Sequence, residues 1–176
     1  MRRIFLLVAL AALVALLASA TTAPARPAAA LTHQGTLAQD VIDELNRVRA
    51  ARGLPRLHSQ AGLRAAANEH SQAMLVAGFF AHESPDGTPF HNRIRKHYPS
   101  RGWHRWSVGE TLLSSGGTLD ARAIVRAWLE SPSHREIVLT PSWRMVGIGA
   151  VGRLDAAPAG VPGSLAVTAD FGLREK

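Results

Sequence analysis

The chain contains no cysteine. That absence excludes disulfides, thiolate zinc sites and cysteine nucleophiles, and leaves packing alone to stabilise the fold. Neither HExxH nor GxSxG occurs, so two common hydrolase signatures are missing as well. No internal repeat is visible. The longest apolar run, Ile4 to about Leu17, falls short of the roughly 20 residues that a membrane-crossing helix requires.

That run has another reading. It follows Arg2 and Arg3 and leads to Ala18-Ser19-Ala20, the basic start, apolar middle and small-residue end of a secretory leader cleaved after Ala20. Residues 1–20 are therefore expected to be a signal peptide. Residues 21–35, rich in Ala, Pro and Thr and without periodicity, read as a spacer, and one domain is expected from Thr36 to the last residue. About 140 residues is a common size for a single-core domain.

Twenty Lys and Arg against thirteen Asp and Glu give a net charge of +7, which falls to +5 when Arg2 and Arg3 leave with the leader. For an exported chain the partners this suits are anionic wall polymers or lipid headgroups at the cell envelope, not nucleic acid. A general solubility role for the excess Arg fits the same composition.

Helical spacing organises the first two thirds. Thr36 to Gln39 matches a capping box, and Leu37, Val41, Leu45 and Val48 follow until Gly53 and Pro55, predicting a helix over about 37–52. Ser59 can cap a second helix whose face of Leu63, Ala67, His70, Met74 and Ala77 ends at Gly78, which places His70 at or beside the core. Ser84-Pro85-Asp86-Gly87 is a turn, and Thr88 can cap a short helix to about Lys96. The segment from Tyr98 to Gly117 reads as irregular. Asp120 can cap a helix with Ile124, Val125 and Trp128 inside, interrupted at Ser131-Pro132.

The period then changes to two. Val146, Ile148 and Ala150 alternate in one segment and Leu165, Val167, Ala169 and Phe171 in another, an antiparallel hairpin across a Pro/Gly-rich connection. Helices first and strands afterwards indicate an α+β domain. Gly147 to Gly152 formally fits GxGxxG, but it lies inside the strand instead of between strand and helix, so the glycines are read as sites of close packing or a bulge.

The chemistry-bearing residues are His82 in FAHESPDG, Glu110 in VGETL and His134 in WLESPSHR. Two imidazoles and a carboxylate in turn-rich or helix-terminal segments are able to converge on one polar cavity. Trp128 and Trp143 are assigned to the core, whereas Trp103 and Trp106 are candidates for lining a ligand groove. His33, His58, His91, His97 and His104 have no mutual spacing and are read as exposed.

The ordered segments FFAHESPDGTPFHNRI, VGETL, AWLESPSHREIVL, WRMVGIGAV and ADFG, between about Leu37 and Gly172, resemble the secreted CAP superfamily of cysteine-rich secretory, antigen 5 and pathogenesis-related proteins, in its cysteine-free bacterial form. The resemblance implies a three-layer α-β-α sandwich with a central antiparallel sheet, and a cleft with two histidines and acidic partners. It carries the cleft histidines onto His82 and His134 and the Gly-Glu-Asn glutamate onto Glu110. A second cleft glutamate does not carry over directly: Glu130 is offset by one position and Ser131 takes the aligned place. Thr111 and Ile137 stand where bacterial relatives usually have asparagine.

His82, Glu110 and His134 are suitable zinc ligands, three in number, which would leave a coordination position for water or ligand. The same residues also suit a metal-free network that fixes loops on the core. A zinc-bound water with Glu130 or Glu83 as base would make a hydrolase of envelope peptides or esters. The reading favoured by the residues is a secreted, non-enzymatic binding module for a lipid, peptide or cell-wall ligand, with optional zinc.

Overall fold

The computed structural model describes residues 30–154 and 163–176. The expected leader, most of the expected spacer and the connection 155–162 lie outside the described residues. The elements run β1 (Leu31–His33), α1 (Gly35–Ala50), β2 (His58–Ser59), α2 (Ala61–Ala77), α3 (Phe90–His97), β3 (Arg105–Ser115), α4 (Ala121–Glu130), α5 (Pro132–Leu139), β4 (Met145–Arg153) and β5 (Leu165–Glu175).

The main sheet has the order β1-β4-β5-β3, with antiparallel pairs throughout; the two-residue β2 adds a parallel pairing on β4. Alternation along each strand divides the side chains between two layers of helices. On one face Ile148, Val167, Ala169 and Phe171 meet Val41 and Leu45 of α1, Ile124 and Trp128 of α4 and Val138 of α5. On the other, Leu112, Val151 and Ala166 meet Met74 and Leu75 of α2, while Leu63 and Ala66 of α2 pack with Ile94 of α3 and Tyr98. The result is the expected α-β-α sandwich.

Several helix boundaries have chemistry that differs from the expectation. Helix α1 begins at Gly35 after Gln34 with no side-chain cap, so the Thr36 capping box is not used. For α2 the cap is Gln60, whose side chain accepts from the Leu63 amide at 2.7 Å, because Ser59 is committed to β2. Helix α3 starts after Pro89 and not at a Thr88 cap. Asp120 does cap α4, accepting from the Ala123 amide at 2.7 Å.

Two findings alter the layout. Leu31–His33, within the stretch expected to be spacer, pairs with Val151–Arg153, so ordered structure begins ahead of Thr36. The larger correction concerns residues 98–117: Arg105–Ser115 is not irregular but an 11-residue strand paired with β5 along its length. Its buried centre is Gly109-Glu110-Thr111-Leu112-Leu113, and polar residues facing inward on both sides hide the usual apolar alternation.

The glycines of β4 show why α2 lies so close to the sheet. A Cβ on Gly147 would stand 2.0 Å from the Arg64 amide nitrogen, and one on Gly149 would stand 2.3 Å from the Ala67 carbonyl carbon. Both positions are close backbone approaches, the packing role expected of this glycine run.

Candidate functional site

The site is built on the edge strand. Glu110, 1% exposed, projects from the middle of β3 directly opposite Asp170 of β5 on the face covered by α2 and α3. Arg93, on α3 and 2% exposed, brings its guanidinium onto Glu110 Oε2. The other carboxylate oxygen, Oε1, is 2.8 Å from His82 Nδ1. Both oxygens of Glu110 are thus engaged.

The turn that carries His82 is held by the same arginine. Arg93 Nη1 donates to the His82 carbonyl at 3.1 Å and to Ser84 Oγ at 3.3 Å. Ser84 and Gly87 close the turn through a 2.8 Å backbone bond, with Gly87 at φ +79° as the SPDG signature predicts. His70 of α2, 1% exposed, sets the entry to the loop: its Nε2 donates to the Ala81 carbonyl at 2.8 Å.

His134 reaches the site from the other layer. Pro132 at the first helical position starts α5 where the sequence signals a break, and His134 lies in its first turn. The C-terminal end of α5 is fixed by Arg49 of α1, fully buried, which donates to the Val138 carbonyl at 2.8 Å and the Thr140 carbonyl at 3.1 Å. A cation at a helix C-terminus is favourable against the macrodipole. Gly109 permits the close fit of α5 to β3, because a Cβ there would be 2.9 Å from the Trp143 ring and 3.2 Å from Ile137. The His82 and His134 rings meet with centroids 6.5 Å apart.

The electrostatics follow from this arrangement. The hydrogen bond to Glu110 raises the pKa of His82 against the opposing effect of burial. Burial, reinforced by the nearby His82, lowers that of His134. Asp170 has no solvent exposure, and burial together with the Glu110 charge raises its pKa well above the ordinary carboxylate value. Two ionised carboxylates in register would repel, and neither would have a proton to share. Protonation of Asp170 relieves that repulsion opposite Glu110.

The other expected cleft residues are placed elsewhere. Glu130 is exposed on α4, with a distant 3.9 Å pairing to Arg126 of the same helix, and does not join His82, Glu110 and His134. Trp106 donates to the Tyr98 carbonyl at 2.9 Å and lies under Arg95, while Trp103 stands beside Arg174 and Lys176. Both tryptophans therefore belong to the α3–β3–β5 end of the sheet. Thr111, alternating with Glu110, points to the opposite layer, and Ile137 packs against that layer's core. The two departures from asparagine thus affect the α5 side of β3 and not the Glu110 carboxylate.

Arg93, Asp170 and Arg49 were missed from the sequence. Arg93 and Asp170 lie inside segments that carried the family resemblance, but an arginine in a helix of five basic residues and an acid in a strand have no local mark of burial.

For the implied zinc, the donor set is two imidazoles. His82 spends Nδ1 on Glu110 and keeps Nε2, and His134 stands opposite; Glu110, holding Arg93 and His82, is an orienting partner and not a free ligand. Among the described residues no group of three or more His, Cys, Asp or Glu side chains is arranged to hold a metal ion. Behind the turn that carries His82, a cavity of about 320 Å³ opens between α2, the 84–88 turn and α3, walled by His70, Ser84, Arg93 and Lys96 and not by His82 or His134.

Comparison with known proteins agrees with this architecture. Residues 42–153 match the cysteine-rich secretory protein (CAP) family. The chain is 30% identical over 112 residues to the uncharacterized protein YkwD of Bacillus subtilis, a match covering 63% of this chain and 41% of that one. It thus spans less than half of that relative. An outer surface protein of Borrelia burgdorferi superposes with a TM-score of 0.70 at 21% identity, covering 84% of this chain and 99% of that chain. An extracellular SCP-domain protein of Bacillus anthracis superposes with a TM-score of 0.62 at 22% identity, covering 81% and 41%. Both structures share the fold. No described helix is long and apolar enough to cross a membrane. With the sandwich, the ordered motifs and the match over most of its length, the chain belongs to the CAP family of cysteine-rich secretory proteins.

Proposed function

We propose that the chain acts outside the cytoplasm as a non-enzymatic binding module whose His82–His134 cleft takes a lipid, peptide or cell-wall ligand, with a divalent metal as an accessory. The observation that carries this reading is the saturation of Glu110 by Arg93 and His82. A carboxylate neutralised by a buried guanidinium is a poor general base, whereas it orients His82 with Nε2 free. A cavity of about 320 Å³, within the range of small-ligand pockets, shares Arg93 with this network but is not lined by His82 or His134.

Zinc, when bound, would be held by His82 Nε2 and His134 and would offer its remaining positions to a ligand. Glu110 would act behind His82, in the carboxylate–histidine–metal arrangement. Calorimetric titration with zinc tests the metal component: single-site binding lost in both His82→Ala and His134→Ala supports it, and affinity unchanged in both removes these residues as ligands. Turnover of envelope peptides or esters that stops with chelator and with Glu110→Gln would replace the binding reading with hydrolysis.

A further inference from the structure

A second surface lies apart from the cleft, at the end of the sheet where β3 begins and β5 ends. Arg174 stacks its guanidinium 3.3 Å from the Tyr98 ring centroid and 5.7 Å from that of Trp103. Arg95 lies 4.9 Å over Trp106, and Lys176 5.8 Å from Trp103. The register places Trp106 opposite Arg174, and the Trp106 indole donates to the Tyr98 carbonyl, so the platform is rigid. Arg101 is exposed in the turn leading to Trp103.

These four cations have no carboxylate partner among the described residues. The local acid, Glu175, is taken by Arg105 at 3.0 Å. Stacking on Trp106 fixes the exposed Arg95 guanidinium without neutralising it, which preserves its charge for an external anion, while Arg174 lies deeper, with Nε and Nη2 buried against Tyr98. We infer that the surface formed by Arg95, Arg101, Arg174 and Lys176 on the Tyr98–Trp103–Trp106 platform is a docking site for a flexible phosphodiester polymer.

Charge complementarity selects an anion, and two further features select a polymer over a membrane. The exposed large apolar side chains, Val76, Phe80 and Leu154, belong to other segments, so this surface offers none of them for insertion among acyl chains. The tryptophans are only partly exposed and are covered by cations. The exposed charges of Arg95, Arg101 and Lys176 suit successive phosphates along a chain.

The test uses the protein without its leader and a synthetic poly(glycerol phosphate) oligomer, with phosphatidylglycerol vesicles as a second arm. Three double variants lose two charges each: Arg95→Gln/Arg174→Gln, Arg101→Gln/Lys176→Gln and, on the α4 surface, Arg122→Gln/Arg126→Gln. The first two are expected to weaken oligomer binding about tenfold or more at low salt and to reduce the slope of log K against log salt by about one to two. The α4 variant should retain wild-type affinity. The Arg101/Lys176 pair, exposed and outside any hydrogen-bonded element core, gives a result even where loss of Arg174 disturbs folding. Equal weakening in all three variants would overturn the site in favour of net charge, as would oligomer binding unaffected by the first two. Binding to vesicles but not to the oligomer would overturn the polymer. The cleft reading is independent: His82→Ala should leave oligomer binding unchanged.

Discussion

Glu110 and Asp170 occupy facing positions on β3 and β5, both buried, with the Arg93 guanidinium on Glu110. The cation contacts Glu110, and Asp170 has no salt-bridge partner among the described residues. The arrangement is stable when Asp170 keeps its proton, and this dictates a pH dependence.

Asp170 binds a proton more tightly in the folded than in the unfolded chain. Its contribution is fully present below about pH 4, the unfolded value, and declines as pH rises toward the elevated folded value. Asp170→Asn imitates the protonated form. Denaturation midpoints from pH 4 to 9 are expected to fall less steeply in the variant than in the wild type; a steeper fall, or an unfolded variant, would contradict a neutral Asp170.

Removing the cation should be costly. Arg93→Met leaves Glu110 buried without its guanidinium and frees the 82–84 turn, and a loss of about 3–5 kcal/mol is expected for breaking such a pair. Urea unfolding measures it. A loss under about 1 kcal/mol, typical of an exposed pair, would show that the site is wetter than its geometry implies.

The two cleft imidazoles should titrate apart, His82 above and His134 below the ordinary imidazole value. Stability from His82 is then retained at low pH and lost as pH rises through its folded value, while His134 works oppositely, losing stability as pH falls below about 6.5. NMR titration of the ring protons checks the order. In His82→Ala the His134 midpoint should move up, since one of the charges opposing its protonation has gone.

Gly147→Ala should separate α2 from β4. The added methyl meets the Arg64 amide at 2.0 Å, a backbone contact that no rotamer change relieves. A loss of about 1–3 kcal/mol or more is expected, read as a lowered midpoint. Gly35→Ala, where nothing lies within 4 Å, is the matched control.

The sequence specified the helices with apolar periodicity, the SPDG turn, the Asp120 cap and the β4–β5 hairpin, because each is a local pattern. It also marked His82, Glu110 and His134 through ordered motifs. It did not specify β3, whose inward-facing Glu110 and Thr111 break the apolar alternation. Nor did it mark Arg93, Asp170 or Arg49, since burial of a charge depends on residues distant in the chain: Arg49 finds its carbonyls about 90 positions away. Tertiary structure alone separated Glu130, Trp103 and Trp106 from the histidines. It also turned Glu110 from a candidate ligand into the shared partner of a guanidinium and an imidazole, because only the register of β3 on β5 and the packing of α3 bring those groups together.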